Sequence, residues 1–150
     1  MDKLTPKETS KGAEEIVLTQ IKQDFITPAN AIFDYVDMVE KVLNNAELTS
    51  EDEIAQIKSS CNHLIEQYEV AFLQNTGINA ETSKKTPEEY SELRHNLRTP
   101  LNAIIGYSEI LMEDYEDDLE ESALEDFQQI INLARETEKA IEIFVDYIRG

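Results

Sequence analysis

Residues 95–109 read His-Asn-Leu-Arg-Thr-Pro-Leu-Asn-Ala-Ile-Ile-Gly-Tyr-Ser-Glu, and a degenerate copy of them lies 72 residues earlier. Residues 23–37 read Gln-Asp-Phe-Ile-Thr-Pro-Ala-Asn-Ala-Ile-Phe-Asp-Tyr-Val-Asp and align with them without a gap. When the alignment is extended to 18–39 and 90–111, six of 22 positions are identical. One structural unit therefore occurs twice, and only the second copy has a histidine where the first has a glutamine.

Apolar side chains in both copies are spaced alternately three and four residues apart, which is typical of a helix with one buried face. They are Leu18, Ile21, Phe25, Pro28, Ile32, Tyr35 and Val39, and Tyr90, Leu93, Leu97, Pro100, Ile104, Tyr107 and Leu111. Two later stripes have the same spacing: Ile54, Ile57, Cys61, Leu64, Tyr68 and Ala71, and then Phe127, Ile130, Ala134, Thr137, Ile141, Ile143 or Phe144, and Tyr147 or Ile148. The sequence therefore predicts four helices.

Four short segments have the composition of a helix start, with a capping side chain and acidic residues in the first turn. They are Thr5–Glu8, Ser50–Glu53, Thr86–Glu89 and Ser122–Glu125. Polar loops at 44–49 and 114–121 are short, so each helix pair is expected to be antiparallel. The second loop is rich in acidic residues but lacks the turn glycine of a calcium loop, which favours a solvated hairpin and no metal site.

A helical hairpin with one apolar stripe per helix cannot bury both stripes by itself, whereas two hairpins can bury all four at a common axis. We therefore predict an all-α, antiparallel four-helix bundle made of two helical hairpins in one chain. The first hairpin would span 1–74, a linker 75–86, and the second hairpin 87–150. The duplication favours a monomeric pseudo-dimer, and a dimer with one hairpin per chain is the alternative.

Composition narrows the functional classes. The formal net charge is −19, from 13 basic and 32 acidic residues, which disfavours nucleic acid and anionic membranes as partners. Neither a membrane-spanning apolar run nor a secretory signal is present in the sequence. Cys61 is the only cysteine and has no internal disulfide partner, so we expect a cytoplasmic protein.

His95 occupies the helix position farthest from the predicted bundle axis and is expected to be exposed. An exposed imidazole is mostly neutral at physiological pH, and its free lone pair can attack phosphorus. Arg98 and Thr99 lie one turn further along, and Arg94 lies next to the histidine. Two guanidinium groups beside an imidazole in an acidic protein suggest a local anion site. The other histidine, His63, lies off its apolar stripe and reads as an ordinary surface residue.

Each first-stripe helix contains a proline. Pro100 lacks the N–H that would bond the carbonyl of Asn96, and Pro28 has the same relation to Asp24. Both prolines predict a kink in their helices. In the second copy alone this kink lies within about one turn of a histidine.

Residues 89–111 resemble the H-box of the dimerisation and histidine-phosphotransfer (DHp) domain of sensor histidine kinases, the HisKA family. The match to the family core His-Glu-Leu-Arg-Thr-Pro-Leu differs at one residue. The resemblance implies that His95 is the phosphoacceptor, that Thr99 helps to place water when a partner is dephosphorylated, and that Pro100 is the family's kink. It also implies a helical hairpin that forms a four-helix bundle. It extends over 87–149, whereas 16–74 is connected to the family only by the internal repeat.

Two departures from the family limit the expected chemistry. Asn96 replaces the usual acidic residue after the histidine, and an amide cannot take the imidazole proton during attack on ATP. Nothing in the sequence resembles the ATP-binding domain, so we do not expect a self-sufficient kinase. The first copy has Gln23 and Ile26 in place of His95 and Arg98, and it reads as a structural half.

These features predict a phosphotransfer module of a two-component or phosphorelay pathway, in which His95 exchanges phosphate with a receiver-domain aspartate. No cofactor is expected on this chain, since the Mg²⁺ would belong to the receiver. The sequence leaves two alternatives open. One is a signalling scaffold that binds a receiver or a histidine kinase without chemistry, and the other is the N-terminal DHp part of a longer multidomain enzyme.

Overall fold

The computed structural model describes the backbone of residues 6–150 and the side chains from Gly12 onward. Its four α-helices are α1 (Pro6–Asn45), α2 (Glu51–Asn75), α3 (Pro87–Asp114) and α4 (Glu121–Arg149). A short 3₁₀ helix, Gly77–Asn79, lies in the connection between α2 and α3. The start signal proposed at Thr5 lies outside the described residues. No described helix has an apolar stretch long enough to cross a membrane.

The four helices pack in a ring in which each contacts the helices before and after it, and α4 closes the ring against α1. The core runs along the ring's axis and takes buried side chains from all four helices. The prediction of an all-α four-helix bundle is confirmed. In this ring α3 has two different neighbours, α2 from the first half of the chain and α4 from the second.

The pattern of buried and exposed residues repeats along the chain, as the sequence does. Of the 22 residue pairs in the aligned segments of α1 and α3, only two differ in their degree of burial, namely Ile21 with Leu93 and Asp34 with Gly106. In the second helices, buried residues correspond with a shift of 73 positions, as Ile54 does with Phe127 and Leu64 with Thr137. The two hairpins therefore present equivalent faces to the core.

The predicted stripe of α2 is buried in full, but those of α1 and α3 needed correction. Tyr35, Leu93 and Tyr107 are only partly buried, whereas the other predicted positions are buried. Four further residues, each directly after a residue of the predicted stripe, are also buried but were not predicted. These are Ala29 and Val36 in α1, and Leu101 and Ser108 in α3. An α-helix of about 3.6 residues per turn drifts away from a strict 3.5-residue repeat, which moves the buried face by about 20° per heptad.

At two positions of the α4 stripe the sequence left a choice between neighbouring residues, and the structure shows which of them is buried. Phe144 and Ile148 are buried, whereas Ile143 is 51% exposed and Tyr147 only partly buried.

The helices α1 and α3 continue through Pro28 and Pro100, both of which are buried. The bend predicted at these prolines stays a prediction.

Of the predicted helix starts at Ser50, Thr86 and Ser122, the first two are at the correct position and the third is wrong, and only Thr86 makes the predicted capping bonds. Thr86 forms a complete capping box, because its side chain accepts the Glu89 N–H and the Glu89 side chain accepts the Thr86 N–H. Ser50 is the N-cap of α2 but makes no side-chain cap bond, since its ψ of 16° departs from the extended conformation that capping uses. The helix α4 begins at Glu121 after Glu120, so Ser122 lies inside its first turn.

We predict that Thr86→Ala lowers the free energy of unfolding by about 1 kcal/mol, since it removes a formed cap. Ser122→Ala is the matched control, since Ser122 is also exposed and caps nothing, and it should change the stability by less than about 0.5 kcal/mol. Urea unfolding of the three proteins measures both values. Equal losses in the two variants would contradict this assignment of the caps.

The end of the bundle where α1 begins contains an aromatic cluster. Phe25 and Tyr68 stack with ring centroids 3.6 Å apart, and Phe144 lies 4.9 Å from Tyr68. The Tyr68 hydroxyl is buried and has no hydrogen-bond partner among the residues whose side chains are described. Burial, and secondarily the Asp24 carboxylate, raises the pKa of this phenol above its ordinary value of 10.0. The hydroxyl therefore opposes folding, because a buried polar group without a partner has lost its water.

We predict that Tyr68→Phe raises the free energy of unfolding by about 1 kcal/mol. Because the folded-state pKa of Tyr68 is raised, only the unfolded chain ionises this phenol as the pH rises above 10, so the wild-type protein loses further stability between pH 10 and the folded-state value. The variant should lack this alkaline loss. Tyr90→Phe is the control and should be destabilised, since the Tyr90 hydroxyl accepts the Lys85 N–H at 3.3 Å and donates to the Ile148 carbonyl at 3.4 Å. Denaturant titrations near pH 7 and pH 10.5 distinguish the variants.

Candidate functional site

His95 lies in the third turn of α3 and is exposed, as predicted. Successive residues of an α-helix are about 100° apart around its axis, so the neighbours of His95 divide into two lateral faces. Arg94 and Arg98 lie on one face, and Asn96 and Thr99 lie on the other. The structure thus places the predicted site residues around one histidine, with different helices alongside the two faces.

The arginine face packs against α4, where both guanidinium groups are held by carboxylates. The Arg94 Nε lies 2.9 Å from the Glu142 Oε2, and the Arg98 Nη2 lies 3.0 Å from the Glu138 Oε1. Longer contacts of 3.6 Å join Arg94 to Asp146 and Arg98 to the other oxygen of Glu142. Three carboxylates thus surround two cations, so an incoming anion has to compete with them. The predicted anion site stays a prediction.

The first hairpin lacks this ion-pair ladder. At the positions of Arg98 and Glu138 it has Ile26 and Ile65, both partly buried against the core. At the position of Arg94 it has Lys22, whose Nζ lies 5.4 Å above the Phe72 ring. The charged ladder therefore belongs to the half that carries the histidine, whereas apolar and cation–π contacts take its place in the other half.

The opposite face of α3 borders an open groove against α2. Asn96, Thr99 and Pro100 form one wall of a cavity of about 340 Å³, and α2 contributes the other wall, including His63. The Thr99 hydroxyl donates a 2.9 Å hydrogen bond to the His95 carbonyl. Sequence reasoning treated His63 as plain surface, because nothing in the sequence shows which face of α2 lies beside α3.

Cys61 is not a candidate nucleophile. It is buried at 1% exposure, as expected for a small core residue, and burial raises the pKa of its thiol to about 12. At neutral pH the side chain is therefore a thiol, whereas nucleophilic attack requires the thiolate. Within the part of the chain with described side chains, no group of three or more His, Cys, Asp or Glu residues is arranged to hold a metal ion.

The sequence model of the His Kinase A (phospho-acceptor) domain matches residues 88–149. Residues 88–149 belong to that family. The HisKA segment comprises nearly all of α3 and α4 and includes His95, whereas α1 and α2 lie outside the match. No curated protein and no solved structure matches the chain. The resemblance seen in the sequence is thereby confirmed for the second hairpin.

Family membership indicates the general role of the HisKA segment. Domains of this family are the phosphoacceptor and dimerisation modules of histidine kinases in two-component signal transduction. The structure adds that the HisKA segment packs in a four-helix bundle with two further helices of its own chain. One chain thus supplies all four helices of the bundle.

We predict a coupling free energy of about 0.5 kcal/mol between Arg98 and Glu138 in a double-mutant cycle of alanine variants, since both side chains are partly exposed. The double variant R98I/E138I, which copies the first hairpin, should stay within about 1 kcal/mol of the parent stability. Urea unfolding at low and high salt measures both quantities. A coupling well above 2 kcal/mol, unchanged by salt, would show that the ladder is a buried structural element and not a surface one.

Proposed function

We propose that this protein is a phosphoryl carrier in which His95 exchanges a phosphoryl group with the aspartate of a receiver domain. One observation carries the proposal. The imidazole of His95 is exposed on a rigid helix inside the HisKA segment, at the position of the family's phosphoacceptor. Gln23 is exposed at the equivalent place in the first hairpin but has no lone pair of comparable nucleophilicity.

For the proposed transfer, the chain only has to hold the His95 imidazole where the receiver's aspartyl phosphate can reach it. A lone pair of the neutral His95 imidazole attacks the phosphorus of the receiver's aspartyl phosphate, a new N–P bond forms, and the P–O bond to the aspartate breaks. The aspartate leaves as a carboxylate, and the other ring nitrogen gives its proton to water. The Mg²⁺ would be bound by the receiver and would neutralise the phosphoryl oxygens.

Asn96 and Thr99 would have different roles in this site. Asn96 would orient the imidazole by hydrogen bonding but could not take its proton, which favours exchange with an activated aspartyl phosphate over phosphorylation by ATP. Thr99 would place a water molecule for dephosphorylation of the receiver. Its hydroxyl proton is already donated to the His95 carbonyl, so the oxygen is left with lone pairs to accept from water.

Arg94 and Arg98 would contact the partner. The receiver's acidic pocket would exchange places with Glu138 and Glu142 as the partner of these guanidinium groups, which keeps the cations paired throughout. The exposed face of α3 would form the docking surface. Since the first hairpin has Gln23 and Ile26 in place of the site residues, a monomeric pseudo-dimer would have one docking site where a symmetric dimer has two.

The test is transfer of a radiolabelled phosphoryl group from phosphorylated receiver domains. Wild-type protein should acquire an acid-labile, base-stable label that His95→Ala and His95→Gln abolish. Gln23→Ala changes the equivalent position of the first hairpin and should leave the label unaffected. Circular dichroism should show that all three variants are folded, since both positions are exposed.

A folded wild-type protein that acquires no label across a panel of receivers would overturn the proposal. Label that persists in His95→Ala would equally do so, because the phosphoryl group would then lie elsewhere.

A binding-only scaffold is the second candidate, and Asn96 together with the neutralised arginines favours it. Such a protein would hold a receiver or a histidine kinase without chemistry. Calorimetry combined with the labelling experiment separates the candidates: a scaffold binds its partner but carries no label in the wild type, whereas a carrier acquires label that His95→Ala abolishes.

A further inference from the structure

The groove beside His95 is formed by both halves of the chain. Asn96, Thr99 and Pro100 of α3 face Ser59, His63 and Gln67 of α2 across it. A second cavity of about 250 Å³ extends the groove along the same two helices and shares Gln67 and Asn96 with the first. The α4 side of the histidine, in contrast, is closed by the Arg94–Glu142 and Arg98–Glu138 ion pairs. Access to the space next to Thr99 is therefore from the α2 side.

His63 is the notable residue in this groove. The chain has two histidines. The groove brings His63 to the side of α3 that carries Thr99, and Thr99 lies one helical turn from His95. Its side chain is exposed and makes no hydrogen bond or ion pair within the part of the chain whose side chains are described. An imidazole without a structural partner, on the wall of an open cavity, is available for proton transfer.

We propose that His63 is the general base for hydrolysis of the receiver's aspartyl phosphate. This inference rests on the proposed function, because a phosphorylated receiver must first dock at His95. A water molecule in the groove would donate one hydrogen bond to the Thr99 oxygen and the other to a neutral ring nitrogen of His63. Its own oxygen lone pair would then point away from both acceptors and towards the phosphorus.

The step balances within the site. The water oxygen forms a bond to phosphorus, the P–O bond to the aspartate breaks, and the aspartate leaves as a carboxylate. The water proton passes to His63, which becomes an imidazolium and later releases the proton to solvent. The products are inorganic phosphate and the unphosphorylated receiver.

The position after His95 explains why a second residue is needed. Asn96 lies on the groove wall, where an acidic side chain could accept a proton, but an amide has no basic site for one. Gln67 is also an amide, and serine hydroxyls are poor bases. His63 is therefore the proton acceptor that this wall provides, and it comes from the first hairpin. The half without a phosphoacceptor would thus supply part of the site.

The experiment compares two activities of the same protein with one phosphorylated receiver. His63→Ala should slow the release of inorganic phosphate by about 10²-fold, a typical contribution of general base catalysis. It should leave transfer of label to His95 nearly unchanged, because that step does not use the groove water. Glu136→Ala is the matched control, since Glu136 is exposed at the position of α4 that corresponds to His63, and it should alter neither activity.

Rescue separates a chemical role from a structural one. Added imidazole should restore phosphate release by His63→Ala, but not by His63→Gln, in which the amide fills the space. Phosphate release by His63→Ala at the wild-type rate, while label still reaches His95, would overturn this inference and leave the proposed function intact. A loss that imidazole does not restore would likewise overturn it. Wild-type protein that neither acquires label nor releases phosphate would overturn both.

Discussion

The bundle depends on the burial of four apolar stripes at one axis. Each helix has a single buried face, and neither hairpin can cover both of its own faces, so α1 needs α4 as well as α2. Burying a large aliphatic or aromatic side chain contributes about 1.5–3 kcal/mol, most of which is offset by the loss of chain entropy. This burial also positions His95, because it leaves the opposite face of α3, which carries that residue, exposed to solvent.

The two halves are alike in the core and different at the surface. Burial is the same at 20 of the 22 aligned pairs of α1 and α3, so the requirement for packing applies equally to both. The surface differs in a coordinated way, since Ile26 and Ile65 stand where the second hairpin has the Arg98–Glu138 ion pair. The half without the histidine therefore also lacks the ion pair that corresponds to Arg98–Glu138, although Lys22 keeps a positive charge at the position of Arg94.

The first hairpin also shapes the surroundings of His95. Since α3 lies between α2 and α4, one side of His95 borders the first hairpin and the other side borders the second. The second hairpin closes its side with ion pairs, and the first leaves a groove containing His63. A duplicated hairpin with one histidine at this position can thus have walls of different composition on the two sides of α3, whereas a symmetric dimer has to use the same residues twice.

Most of what the sequence predicted correctly came from the periodic spacing of its apolar residues and from the motif around His95. The alternating spacing identified four helices and the buried face of α2 in full, and the residues around His95 identified the family, because both are local properties of the chain. The sequence did not show that Ala29, Val36, Leu101 and Ser108 are buried, since the drift of a helix relative to a regular repeat accumulates only over several turns. It did not show the ion pairs of Arg94 and Arg98 or the position of His63 either. Those depend on which helix lies on each side of α3, and the ring order is decided by the packing of all four stripes together.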